Sequence, residues 1–228
     1  MKKIWSIISV ILVVLAVVFK VIIYSKGKQE LANLRQSAEQ GNADAQSNLG
    51  DLYFSGKSVS ANRAIAAKWY LKAAEQGDAR AQLNLGYLYS SGEGIPKDEA
   101  EGEKWYRKSA ENGNADAQYS LGLMYMSEFG RFLDIPKDDA EAVKWFSESA
   151  EQGHARGQRL LSTMYYLGYG VPVNNVAAHM WCNLALAQGD EIAKLVIDEI
   201  SAEMTEEQIA EAQKMSREWM AKHSEKNK

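Results

Sequence analysis

Three observations predict an all-α fold, a solenoid of helix–turn–helix repeats with a 36-residue period. The tetrapeptide AEQG stands at 38–41, 74–77 and 150–153, with AENG at 110–113 and LAQG at 186–189. Its glycines, Gly41, Gly77, Gly113, Gly153 and Gly189, are spaced 36, 36, 40 and 36 residues apart. Between them, apolar residues recur at helical intervals. A fixed period of this length is the signature of stacked supersecondary units.

The first element is the apolar run from Ile4 to Ile23, interrupted only by Ser6, Ser9 and Lys20. Twenty helical residues rise about 30 Å, the thickness of a bilayer's hydrocarbon core. Trp5 and Tyr24 stand at its ends, where amphipathic rings favour the two interfaces. Lys20 is close enough to the end to snorkel outward. The expectation is a transmembrane anchor over 1–27 that enters the membrane through residues 4–23. A cleaved signal is the alternative, because Val14-Leu15-Ala16 is a passable cleavage triplet, but cutting there strands VVFKVII in water. Lys2 and Lys3 oppose Lys26 and Lys28, so orientation is weakly specified. The reading adopted is an inner-membrane anchor with the body exported to the periplasm. Secretion after cleavage and a cytoplasm-facing body are the alternatives.

Residues 28–41 follow as a half unit, the second helix of an incomplete hairpin, with Asn33–Gln40 at its centre. Residues 42–189 then hold four full repeats. In the first helix of each, Ala45, Leu49, Leu52 and Tyr53 form an i, i+4, i+7, i+8 stripe. Ala81, Leu85, Leu88 and Tyr89, then Ala117, Leu121, Met124 and Tyr125, repeat it. A glycine-rich turn such as SGEGIPKD follows, with Pro96 disfavouring helix before it and Asp98 placed to cap the next helix. All three prolines, Pro96, Pro136 and Pro172, share this register. The four extra residues of the third copy lie in SEFGRFLDIPKD, a loop insertion. The second helix carries Trp69, Trp105, Trp145 or Trp181 and ends at the marker, whose glycine supplies a left-handed cap. Gly50, Gly86 and Gly122 recur inside the first helices although a helical glycine costs about 1 kcal/mol relative to alanine. Close approach of a neighbouring helix, over a tryptophan ring, is the expected reason. Residues 190–228 form the capping helices and a polar tail.

The composition is that of a folded protein, 46% hydrophobic and 25% charged. All five charges of residues 1–28 are lysines, which leaves the body 21 basic against 30 acidic residues. An acidic body is a poor phosphate binder, so no nucleic-acid partner is expected. The single cysteine, Cys182, cannot close an internal disulfide.

These residues resemble the Sel-one-like repeat family, a tetratricopeptide-like α-solenoid. The family's pattern A-x-x-G…A-x-x-x-L-G-x-x-Y-x-x-G-x-G-x-x-x-D…A-x-x-W-x-x-x-A runs almost position for position through 74–106, and the resemblance extends over about 38–220. The first copy departs from it at SGKSVSAN. The fourth departs with Ser162 for glycine and with Cys182 where the others have Tyr70, Tyr106 and Phe146. ISAEMTEEQIAEAQKMSREW at 200–219 looks like the closing helix of bacterial members. The resemblance implies a right-handed solenoid that binds other proteins, as a scaffold or adaptor of the bacterial envelope, signalling or host contact.

Catalytic constellations are weak. His179 and Cys182, three apart on one helix, lack the orienting group or further ligands of a nucleophile pair or metal site. Ser25–Lys28 matches S-x-x-K without the companion motifs of penicillin-interactive enzymes. KDEAEG and KDDAEA are acidic first turns of helices rather than metal loops. The expectation is no enzyme, no metal and no cofactor. An envelope hydrolase of β-lactamase-like or peptidoglycan-acting type, and a secreted host-interacting effector, are the alternatives.

Partner binding, to a protein or peptide on the concave surface, is expected where copies differ. Six residues past each marker glycine come Ser47, Leu83, Tyr119 and Arg159; four further on come Asp51, Tyr87, Leu123 and Thr163. Asn48 and Asn84 adjoin them and could hold partner backbone. Packing against the neighbouring repeat is the competing reading of the same stripe.

Overall fold

The computed structural model describes residues 25–126 and 137–224. The expected anchor over 4–23 and most of the third-copy insertion, 127–136, lie outside them. Among the described residues every regular element is a helix, and none is long and apolar enough to cross a membrane.

Helix α1 occupies 25–39, several residues earlier than the half unit's expected core. Four hairpins follow: α2 (Ala43–Ser55) with α3 (Arg63–Glu75), α4 (Ala79–Ser91) with α5 (Glu99–Glu111), α6 (Ala115–Met126) with α7 (Asp139–Glu151), and α8 (Ala155–Leu167) with α9 (Asn175–Ala187). Helices α10 (Glu191–Ala202) and α11 (Glu206–Ser224) close the chain. Each helix packs mainly on its hairpin mate, and each second helix also packs on the first helix of the next unit. The core is therefore a chain of small clusters, Ala38/Leu49, Tyr70/Leu85, Tyr106/Leu121 and Phe146/Leu161 among them. That is the one-dimensional stacking of a solenoid.

The marker tetrapeptide does two jobs, and only the first is legible in its own four letters. Gly77 has φ 93°, a left-handed conformation that glycine adopts without strain. Its N–H donates to Ala74 O at 3.1 Å, and the next N–H, of Asp78, to Ala73 O at 3.1 Å. This paired C-terminal closure recurs at all five markers. The residue after the glycine then starts the next helix: Asn42, Asp78, Asn114, His154 and Asp190 each accept a backbone N–H two or three residues on. One helix stops and the next begins across three residues, as between Glu75 and Ala79.

The recurring in-helix glycines sit against rings, as expected, but not tryptophan rings. A Cβ on Gly50 would stand 2.6 Å from Tyr70, and one on Gly122 would stand 2.5 Å from Phe146. Tyr106 faces Gly86 at 3.1 Å in the same sense. The tryptophans lie one residue earlier and turn away from this contact. In the fourth copy Ser162 stands beside Cys182 instead. A small side chain has replaced the ring, and the glycine is no longer needed.

The carboxyl end differs from the single closing helix expected over 200–219. Thr205 breaks it: Gln208 N–H donates to Thr205 Oγ1 and Thr205 N–H to Gln208 Oε1, a capping box that starts α11 afresh. Ala212, Ser216 and Trp219 then lay α11 along α9.

Candidate partner-binding surface

A second set of residues absent from the sequence reading stiffens the stack. Gln46, Gln82, Gln118 and Gln158, five past each marker glycine, are all buried. Each donates its Nε2 to the carbonyl of the marker alanine, Ala38, Ala74, Ala110 or Ala150, at 3.0–3.1 Å. Each also accepts from the next marker's amide side chain, Gln76, Asn112, Gln152 or Gln188, at 2.6–2.9 Å. A buried amide needs such partners, so the ladder fixes the register of successive hairpins. Its signal was present in the sequence as a glutamine on the common period.

On this frame the ten stripe residues fall along the seam where consecutive first helices meet. At the first seam they are engaged with one another. Ser47 is fully buried and donates to Asp78 at 3.2 Å. Asp51 accepts from Tyr70 Oη at 2.8 Å, Arg80 at 2.9 Å and Asn84 at 3.2 Å, while Asn48 accepts from Arg80 at 2.8 Å. Burial and this carboxylate push the Tyr70 phenol far above its ordinary range. Asn48 and Asn84 therefore hold neighbouring side chains rather than free backbone donors. The last seam is similar: Arg159 pairs with Asp190 at 3.0 Å, both side chains being largely buried, and Thr163 donates to Arg159 O.

The middle seams are apolar. Leu83 is half-buried against the Tyr106/Leu121/Trp145 cluster. Tyr119 lies between the Phe146 ring at 6.2 Å and the His154 ring at 5.1 Å, and Leu123 packs on the Phe146/Leu161 cluster. Tyr87 is the most open, 42% exposed. Its ring meets Phe54 edge-on at 6.0 Å, and its hydroxyl donates to Glu93 at 2.9 Å, which raises its pKa. Glu93 in turn pairs with Arg63, whose guanidinium lies 5.0 Å over the Phe54 ring. The surface thus offers a propped, exposed tyrosine beside the first polar seam, with half-buried apolar groups on the next first helix.

The other sites weighed in the sequence behave as packing. Cys182 is fully buried, its Sγ donates to Ala193 O at 3.1 Å, and burial pushes its thiol up to about 11. A thiol so disposed is a poor nucleophile. His179 is buried beside Asn183 at 2.9 Å, and desolvation lowers its pKa. Among the described residues, no group of three or more His, Cys, Asp and Glu side chains is placed to hold a metal ion.

Hairpins of this length, closed by a repeated glycine corner and stacked on a buried amide ladder, define an α-solenoid of short helical repeats. The Sel1 repeat model matches residues 43–78, 79–114, 115–154 and 155–190, and the chain belongs to that family. Sel1-repeat proteins generally act as protein–protein interaction scaffolds. A protective antigen present in uropathogenic Escherichia coli strains, displaying an SLR fold, is similar with a TM-score of 0.73 and 34% identity, over 84% of this chain and 40% of that one. A Sel1 repeat protein from Oxalobacter formigenes is similar with a TM-score of 0.69 and 31% identity, over 75% of this chain and 48% of that one. The chain spans less than half the length of either. No curated protein matches it.

Proposed function

We propose that this chain is a non-enzymatic scaffold of the bacterial envelope that holds one partner protein on the first-helix stripe. The observation that carries the reading is the contrast along that stripe. Its ends are closed by internal polar networks, whereas Leu83, Tyr119 and Leu123 of α4 and α6 are half-buried apolar groups, and Tyr87 of α4 presents an exposed, hydroxyl-anchored ring. A rigid aromatic beside half-buried apolar groups is a common anchor of protein interfaces. The burial of Cys182 and His179 supports a non-covalent role. Residues 4–23, apolar and membrane-length, tether the body to the inner membrane with its repeats in the periplasm.

The test is crosslinked capture from membranes with Tyr87→Ser against the parent chain. Tyr87 is partly exposed and gives up only its Phe54 and Glu93 contacts, so this variant should stay folded, with unchanged circular dichroism, while losing its partner. Leu83→Ser and Tyr119→Ser are poorer probes because both side chains also pack in the stack. A partner retained by Tyr87→Ser at parental levels overturns the assignment. Resistance of the full chain to alkaline extraction, and digestion of its repeats by protease added to spheroplasts, test the tether separately.

A further inference from the structure

The last repeat contains a docked helix, and it shows what the equivalent faces of the earlier repeats could receive. On α9, Met180, Trp181 and Leu184 form a buried face beneath α11. Ser216 Oγ donates to Met180 O at 3.2 Å, Trp219 meets Trp181 edge-on at 6.1 Å, and Trp219 Nε1 donates to Glu151 at 3.2 Å. The seam is thus small–x–x–x–small–x–x–aromatic: Ala212, Ser216, Trp219.

The same face recurs on each second helix. In α3 it is Lys68, Trp69 and Lys72; in α5 it is Lys104, Trp105 and Lys108; in α7 it is Lys144, Trp145 and Glu148. The α3 copy differs from the other two in a consistent direction. Lys104 is paired with Glu101 at 2.8 Å and Lys144 with Glu141 at 3.0 Å. In α3 the residue at that position is Ile65, and Lys68 makes no ion pair among the described residues. Arg107 of α5 and Ser147 of α7 are likewise replaced by Leu71. The Lys72 ammonium caps the Trp69 ring at 4.4 Å. The result is an open groove of about 340 Å³, apolar at its floor and cationic at its rim, lined by Ile65, Lys68, Trp69, Leu71, Lys72 and Glu75.

We propose that this face of α3 is a docking site for an amphipathic helix of a partner protein, with an aromatic anchor and acidic flanks. The α11–α9 contact supplies the geometry, and the two lysines against the single Glu75 supply the sign of the charge. The site is distinct from the first-helix stripe and does not depend on it.

The probe is a synthetic peptide of residues 205–224 carrying Arg217→Glu and Met220→Glu, the positions that flank the seam beside Asn183, with a photoreactive benzophenone side chain at position 219. Added to the full chain in detergent, it should crosslink to residues 65–72. Lys68→Glu with Lys72→Glu, both at exposed positions, should weaken binding by about tenfold or more. A peptide with lysine at 217 and 220 should recover binding to that variant. Crosslinks confined to α9, crosslinks to a second copy of the chain without peptide at α3, no crosslink at about 1 mM peptide, or binding indifferent to charge reversal each overturn the proposal. Unchanged circular dichroism of the double variant separates lost docking from lost fold.

Discussion

Replacing Gly122 by alanine sets helix propensity against packing, and the structure says which wins. A Cβ there would meet three Phe146 ring carbons at 2.5, 2.6 and 2.9 Å. Those distances lie roughly 1 Å inside the usual carbon–carbon optimum. The ring is fully buried and hemmed in by Tyr119 at 6.2 Å between centroids, so it cannot swing clear. Overpacking of this kind costs about 1–3 kcal/mol, and an immobile ring belongs at the upper end. Alanine returns about 1 kcal/mol of helix propensity. The expected net loss is about 2 kcal/mol, a fall in Tm of about 4–8 °C for a domain of this size. Gly86→Ala is the internal control: its Cβ would meet Tyr106 and the Gly102 carbonyl at 3.1 Å, a gap that a few tenths of an ångström relieves. Its two terms nearly cancel. Thermal unfolding followed by circular dichroism on both variants decides the matter. If Gly122→Ala melts at or above the parent, close approach is not why that glycine is there; if Gly86→Ala loses as much, the cost does not follow the distance to the ring. Gly122→Ser combined with Phe146→Cys copies the fourth repeat's Ser162 and Cys182. That pair should be less damaging together than the sum of its single changes.

Three further perturbations probe other links. Gln158→Leu strips the Ala150 carbonyl and the Gln188 amide of a buried partner; a loss of about 1–3 kcal/mol is expected in denaturant unfolding. His154 accepts the Gly157 N–H on Nδ1, which requires the neutral ring, and burial lowers its pKa below the ordinary 6.5 although Asp116 opposes the shift. The unfolded chain therefore protonates first as pH falls. The stability is present above the ordinary value and is lost as pH drops through the lower folded value; His154→Asn, which caps without titrating, should flatten that part of the Tm–pH curve, and an unaltered curve refutes the cap. Trp219→Ala removes the ring stacked on His223 at 3.7 Å and edge-on to Trp181. It should cost about 2–3 kcal/mol locally, and hydrogen exchange should accelerate in α11 while α2–α8 stay protected.

Much of this architecture was legible because repetition multiplies a weak local signal. One AEQG is a suggestion; five on a common spacing fix hairpin length, helix order and stop positions. The same comparison contained the buried glutamines and the N-caps after each glycine, although these need knowledge of which helix face turns inward. The ring opposite each glycine was misassigned because tryptophan and the next aromatic differ by one residue, about 100° around a helix, which spacing alone does not resolve. The stripe illustrates a harder limit. Asn48 and Asp51 stand at positions that change along the copies as a binding surface would, yet Arg80 and Tyr70 from neighbouring helices already occupy them. Variation between copies marks where seams are customised as well as where partners sit. Only the three-dimensional neighbours distinguish Ser47, fully buried, from Tyr87, exposed.

A photoreactive phenylalanine analogue placed at Tyr87 in the full chain, irradiated in native membranes, tests most directly whether the stacked hairpins exist to present a gripping surface. A single discrete protein adduct at position 87, absent when the same group is placed at exposed Glu211 of α11, is the expected result. No adduct at 87, or identical adducts at both positions, contradicts it.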